Sequence, residues 1–389
     1  MGCCKEILIG SRYVSRTMPA CDAPNWTSAP LTPELVQRLT PQWAAMAATA
    51  AERTIFHLPW FIAASMPLLA RYAPQLVTIG QGDRLIGLLV VRGDRGFAKM
   101  PIPFLRTALH YEQYLGTPLV RGGSEAAFAA GLLGWLDAAP RHYCLLHLGL
   151  MALDGPVART IADLCRAERR GLMTLNRFER AAIALPRAPG TGAEDHLPAS
   201  RRKSLRRYAA SLATLGTVTR ERLTEGGDLT AWMDDFLAME HSGWKAERGS
   251  SILSCPHETA LYRAVVAAAL EQDMLHFSRL CLDGRPIAYT LDVGSGPDIY
   301  CLKSAFDQQL KKYSPGVLAE AATLRHYWAQ PGPCRIDSCT SPDNALLNEL
   351  WPDRKAMGAL SIARRGAGYG GLFALARWAK RVKYGGDGI

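Results

Sequence analysis

Two strand–turn–strand signatures, one in each half of the 389 residues, constrain the fold more than anything else in the chain. The first joins apolar runs at 75–79 and 84–92 through Gln81-Gly82-Asp83. The second joins runs at 275–282 and 286–293 through Asp283-Gly284. Asp-Gly between alternating apolar runs closes a two-residue hairpin, because both turn positions need positive φ. A similar series surrounds each hairpin. In the first half, apolar periodicity predicts a helix at 33–53 before it, then a helix at 124–138, a strand at 143–148, a helix at 156–169 and a strand near 180–185. In the second, a basic helix at 199–215, a strand at 218–223 and helices at 229–240 and 257–272 precede it; a strand at 299–305 and a helix at 315–328 follow. Ala188-Pro189-Gly190-Thr191-Gly192 separates the halves with linker chemistry. The order predicts an α+β protein: two tandem copies of one unit, with a mixed sheet flanked by helices. The expected divisions are a loose tail at 1–30, a first domain at 31–187, a linker at 188–198, a second domain at 199–363 and a basic tail at 364–389.

Composition narrows the function classes. Hydrophobic residues are 48% and charged residues 21%, which excludes disorder as the main state. The net charge of +10 is concentrated: seven bases and one acid lie between 201 and 222, and six bases and no acid between 364 and 383. These two stretches carry more than the whole excess, so two basic patches rather than a basic protein need explaining. The ten cysteines include no Cys-x-x-Cys, and Cys144, Cys281 and Cys301 fall in apolar strand-like runs. They read as reduced and the protein as cytoplasmic, with no zinc ribbon. No apolar run is long enough to span a bilayer, and Cys3, Cys4, Lys5 and Glu6 interrupt any signal peptide. Gly366-x-Gly368-x-x-Gly371 matches a dinucleotide pattern, but the strand that should follow has no room, so it reads as a joint. His142 and His147 point to opposite faces of a strand, and no metal site is expected.

The segment Lys311-Lys312-Tyr313-Ser314-Pro315-Gly316-Val317-Leu318 is the most informative. Ser314 suits an N-cap and Pro315 the first helical position. The N–H groups of Gly316, Val317 and Leu318 would then face an anion, with the helix dipole behind them and Lys311 and Lys312 beside them. An ordinary capped helix start would use the same residues. The helix from 199 places Arg201, Arg202 and Lys203 in its first turn, where the dipole disfavours cations, and its expected buried stripe is Leu205, Tyr208, Ala209 and Leu212.

The span from about 199 to 355 resembles the GNAT superfamily of acyl-CoA N-acyltransferases. The branch it resembles is the CelD/BcsL type of cellulose-biosynthesis acetyltransferases, related to FemX-like tandem folds. The resemblance is carried by Arg206-Arg207, by Glu240-x-x-Gly243-Trp244-Lys245 with Gly249-Ser250, by Asp283-Gly284-Arg285-Pro286-Ile287-Ala288, and by Phe306-Asp307 with Tyr313-Ser314-Pro315-Gly316. Lys311-x-x-Ser314-x-Gly316 stands where the superfamily's pyrophosphate loop reads Arg/Gln-x-x-Gly-x-Gly/Ala, with Ser314 replacing a glycine. Residues 337–344 and 351–354 depart from the branch, so it brings no polysaccharide substrate with it.

The resemblance implies two tandem GNAT-like domains and direct attack of an amine on a CoA thioester, with acyl-CoA as co-substrate and no permanent cofactor. It places the donor phosphates on Lys311, Lys312, Ser314, Gly316, Val317 and Leu318. Glu240 or Asp307 would be the base and Tyr313 the acid for the thiolate. Trp244, Lys245, Ser250 and Asp337 would face the acceptor, an envelope amino sugar or lipid amine such as a sphingoid base. Packing, capping or solvation are the alternatives for each of these residues. A FemX-like aminoacyl-tRNA-dependent transferase and a non-catalytic scaffold of envelope polysaccharide synthesis are the other function classes, although nucleic acid is not the expected partner. Residues 372–383 form an amphipathic pattern, with Trp378 on the apolar arc and Arg377, Lys380 and Arg381 opposite. That pattern predicts peripheral docking on the anionic inner face of the cell membrane.

Overall fold

The computed structural model describes residues 8–9, 12–13, 23–97, 101–188, 190–224, 226–242, 249–332 and 334–366. A short hairpin, β1 (Leu8–Ile9) and β2 (Arg12–Tyr13), stands apart from one large mixed sheet. The first half contributes β3 (Pro24–Pro30), β4 (Gln75–Gln81), β5 (Arg84–Arg95), β6 (Pro103–Thr107), β7 (Leu119–Val120), β8 (Leu145–Ala152) and β9 (Leu172–Leu185). Its helices are α1 (Pro33–Ala47), α2 (Pro59–Leu69), α3 (Glu125–Ala138) and α4 (Pro156–Ala167). The second half contributes β10 (Val218–Arg222), β11 (Leu275–Leu282), β12 (Arg285–Ser295), β13 (Asp298–Phe306), β14 (Cys334–Asp337) and β15 (Asp353–Ala363). Its helices are α5 (Ala199–Ala213), α6 (Leu229–His241), α7 (Pro256–Glu271), α8 (Pro315–Trp328) and α9 (Ala345–Leu350).

Both hairpins form. Asp283 and Gly284 hold φ of 48° and 79°, the doubly left-handed turn that lets strands keep their twist. Several elements lack a clear sequence signature. Pro24–Pro30, inside the expected loose tail, is a strand on the sheet's edge paired with β4. The prolines at its ends and its mostly exposed side chains hide its periodicity. The helix expected at 33–53 stops at Ala47, and α2, β6, β14 and β15 were not foreseen. In α5, Leu205 and Leu212 are buried and Tyr208 half-buried, but Ala209 is exposed. The amphipathic pattern at 372–383 lies outside the described residues.

Helices cover both faces of the sheet, so central strands such as β5 bury a continuous apolar run from Leu85 to Val91. On one face a single core runs through both halves, joining Trp43, Phe56 and Phe61 to Trp232, Phe236, Tyr262 and Tyr289. On the other face α3 and α4 cover the first half, and α5 and α8 the second.

The sheet order is β10-β11-β12-β13-β14-β9-β15-β8-β6-β5-β4-β3. Each half contains one parallel pair, β6 with β8 and β13 with β14, so the two halves repeat one topology. Their closing strands are exchanged. β9 pairs with β14 of the second half, and β15 lies between β8 and β9 of the first. The chain is thus an α+β protein of two tandem units of one topology, knitted into one sheet.

Candidate functional site

The parallel pair β13 and β14 stays in register for three residues only: Asp298 with Arg335, Ile299 with Ile336 and Tyr300 with Asp337. β14 ends there, while β13 continues to Phe306, still paired with β12 on its other side. A bulge at Leu302, where Asp292 opposes Cys301 and Leu291 opposes Lys303, bends β13 where the two strands part. The sheet therefore opens into a split bounded by the far end of β13, the end of β14 and the start of α8.

A 3-10 turn, Gln308–Tyr313, connects β13 to α8. Asp307 caps it, accepting the Gln309 N–H at 2.9 Å, and pairs with Arg285 at 2.9 Å. Both bonds tie the carboxylate down, a structural role at odds with its expected use as a base. Ser314 does occupy the N-cap position of α8, but in the left-handed region (φ 56°) and without a side-chain cap bond. The Leu318 N–H donates to the Ser314 carbonyl at 3.1 Å, so it is not available to an anion; Gly316 and Val317 are the N–H donors left at the helix start. A Cβ on Gly316 would stand 2.9 Å from Phe306 Cδ1, so the glycine is needed for the ring behind it. Lys311 and Lys312 are exposed, and Lys312 Nζ lies 4.9 Å from the centre of the Tyr313 ring. Tyr313 is half-buried and packs, like Phe306 and Leu310, against the core cluster that holds Leu212 and Leu318.

The basic helix α5 lies against this turn and α8 through Leu212 and Tyr208. Arg201 pairs with Glu349 at 3.1 Å and Arg202 donates to the Asp195 carbonyl at 3.3 Å. Protein groups thus answer two of the misplaced cations, while Lys203, Arg206 and Arg207 stay exposed.

At the other wall of the split, the two halves share a buried polar network. Lys303 of β13 places Nζ 3.0 Å from Glu112 Oε1, in the first half's loop after β6. The hydroxyls of Tyr114 and Tyr262 both donate to Glu112 Oε2, Tyr262 at 2.5 Å. Burial pushes the Glu112 carboxyl up, but Lys303 and the two phenols more than reverse this and hold it below the usual range. Arg180 of β9 links this group to the next by donating to the Tyr114 carbonyl at 2.8 Å. Its guanidinium also meets Asp337, which accepts from Lys355 at 2.8 Å and from the Cys339 N–H at 3.0 Å. Burial opposes ionisation of Asp337, yet Arg180 and Lys355 hold it charged far below the carboxylate range. Asp337, expected to face the acceptor, is therefore locked in the seam between the halves.

Glu240 is buried on α6, and its Oε2 accepts the Ile252 N–H at 2.9 Å, tethering the loop before α7. Ser250 is exposed in that loop; Trp244 and Lys245 lie outside the described residues. Glu258, in the first turn of α7, was not foreseen. It is half-buried, and its carboxyl is raised by burial and by the charges of Glu112 and Glu240, against the pull of Lys303. Sequence reasoning also missed Glu112, Tyr262 and Lys303. The one usable signal was Lys303 itself, a cation inside an apolar strand run.

Among the described residues no cluster of His, Cys, Asp or Glu could hold a metal ion, and no helix is long and apolar enough to cross a membrane.

Residues 199–344 match the family model of the acetyltransferase (GNAT) domain. No curated protein matches the chain's sequence. Among solved structures it is similar to FemX, with a TM-score of 0.54 at 10% identity over 90% of this chain and 99% of that one. It is also similar to the C-terminal domain (DUF2156) of a protein described as a lysylphosphatidylglycerol synthetase from Agrobacterium fabrum, with a TM-score of 0.52 at 12% identity over 91% and 100%. A conserved protein of unknown function from Bacteroides thetaiotaomicron gives 0.51 at 13% identity over 86% and 99%. Residues 199–344 thus carry a GNAT acetyltransferase domain, which supports an acyltransferase, and the solved structures share the fold.

Proposed function

We propose that the protein transfers an acyl group from a CoA thioester to an amine, in the split between β13 and β14. One observation carries this reading: the sheet opens directly beside a helix start with N–H donors at Gly316 and Val317, flanked by the exposed Lys311 and Lys312. A pyrophosphate fits that combination of backbone donors, dipole and cations. The unpaired edge of β13 beyond Tyr300 offers backbone groups to the amide-bearing arm of CoA.

In the reaction the amine nitrogen attacks the thioester carbonyl carbon, the carbon–sulfur bond breaks, and the amine gives up a proton. Glu258 is our candidate for the acceptor of that proton. Its raised carboxyl stands near Lys303 and Glu112 at the face opposite α8, and a carboxylate titrating closer to neutrality is the better base. Lys303, ion-paired with the Glu112 carboxylate that both phenols also bond, would stabilise negative charge on the carbonyl oxygen.

The acceptor reading stays with an envelope amine, a lipid amine or an amino sugar, and the CelD/BcsL-type branch rests on the motif order between 206 and 316. Attachment to an anionic leaflet through the basic C-terminal stretch belongs to the same reading. Equal cosedimentation with anionic vesicles of the full chain and a chain ending at Arg365 would remove it.

Calorimetry with CoA and with aminoacyl-tRNA tests the donor. Saturable CoA binding, with thiol release from acetyl-CoA in the presence of amines, is the expected result. Binding of aminoacyl-tRNA without CoA binding would transfer the activity to the FemX-like class.

A further inference from the structure

A second cleft lies away from the split, where α1 and α2 of the first half meet the β12–β13 turn of the second. Its volume is about 650 Å³. Apolar groups dominate its wall: Val36, Ala44 and Ala47 of α1, Leu58 and Trp60 at the start of α2, and Met274. Arg53 is the one charged residue in the lining, and the polar members Gln37, Thr40, Gln272 and Ser295 are neutral.

The guanidinium is placed rather than loose. Arg53 Nη2 donates to the Ala48 carbonyl at 2.9 Å, and Gly296 makes room for it, since a Cβ there would overlap Arg53 Nη1. Gly296 holds φ 61°, which suits a residue without a side chain. Among the described residues no carboxylate pairs with Arg53, so an oriented cation without an acidic partner lines an apolar cleft. Small-molecule sites have this build: a few hundred Å³ of apolar wall, few fixed polar groups, and a position between structural units.

We propose that this cleft binds a single alkyl chain ending in a carboxylate, a long-chain fatty acid. The chain would lie along α1 and Trp60, and the carboxylate would take the free edge of the guanidinium, a planar fork that matches it. The match is one of charge as well as shape, one cation for one anion. The inference does not depend on the proposed acyl transfer.

The test uses the full chain without CoA and cis-parinaric acid as fluorescent probe, displaced by palmitate, hexadecanol or lysophosphatidylglycerol. One saturable site is expected, with palmitate displacing the probe at least tenfold better than hexadecanol. Ala44→Phe, an exposed position on the cleft wall, should abolish binding. Arg53→Met should cost palmitate at least tenfold while leaving hexadecanol unchanged. Unaltered thermal unfolding of both variants confirms that the fold is intact, and Thr40→Trp provides a second way to fill the cleft. Absence of saturable binding, or binding indifferent to the filling variants, overturns the site. Equal palmitate and hexadecanol affinities, or stronger binding of lysophosphatidylglycerol, overturns the assignment of the carboxylate.

Discussion

Arg180 Nε stands 2.6 Å from Asp337 Oδ1, and both side chains are almost wholly buried between strands that belong to different halves. Removing one partner leaves an uncompensated charge in the interior. Arg180→Met and Asp337→Leu should each destabilise by about 3–5 kcal/mol, and the double variant by much less than their sum. Urea unfolding of the four proteins measures this, and additive losses would show that the pair is not coupled. The carboxyl of Asp337 is held far below its ordinary range, so its contribution is present above that range and lost as pH falls through the folded value.

A second buried acid should act with the opposite sign. Glu320 of α8 is pushed up to about 7 by burial and by the neighbouring Asp292, itself pushed up to about 6 by burial. A raised carboxyl favours the folded state below its ordinary pKa, and this advantage is lost as pH rises through the folded value. Buried histidines such as His57 and His276, lowered to about 4 by burial, weaken the fold as pH falls below their ordinary value and so mask the effect in the wild type. Glu320→Gln isolates it. The variant should gain stability relative to wild type between pH 5 and pH 8, by about 3 kcal/mol at full ionisation. A pH-independent difference in unfolding free energy would mean that Glu320 does not titrate there.

Donor binding should respond to charge at the helix start. Lys311→Gln with Lys312→Gln should weaken CoA by roughly three- to thirtyfold and flatten its salt dependence, with thermal unfolding unchanged because both lysines are exposed. Gly316→Val should weaken binding and lower the melting temperature together, since its side chain meets Phe306; adding Phe306→Leu should recover part of the stability. One CoA per chain is expected. In the first half Glu125 turns its own carboxylate onto the Gly123 N–H at the start of α3, where a phosphate would otherwise sit.

Glu258→Gln should lower kcat by about a hundredfold or more and leave CoA affinity unchanged. It should also remove the acidic limb of the pH–rate profile. Retention of that limb in the variant would exclude Glu258 as the base. Asp307→Asn should instead lower stability modestly through the lost turn cap, with turnover retained.

Much of the fold was legible because its hairpins and amphipathic helices obey local rules. Leu275–Leu282 and Pro315–Trp328 have the boundaries expected from their patterns. What escaped was decided at long range. β14 is four residues long, and β15 takes its place between strands far away in the chain. The site divides in the same way. The helix start at 314–318 is a continuous segment and could be read, whereas Glu112, Arg180, Tyr262 and Lys303 meet only because the halves interlock. Asp307 carried the right residue type for a base but spends it on a cap and an ion pair.

The seam also makes a prediction about fragments. Residues 1–187 and 199–389, expressed separately, should each be unfolded and prone to association, because each lacks the strand that the other lends. Coexpression should yield a folded complex. Two independently folded fragments, each with a cooperative thermal transition, would show that the exchanged strands are dispensable.

Many two-lobed enzymes close by swinging one lobe against the other, but here a swing would tear backbone ladders on both sides of β9. The slot between β13 and β14 is consequently framed by a surface that cannot shut like a jaw. On the proposed reading, substrates thread into an opening whose width is already set, and selectivity comes from what fits rather than from what triggers closure.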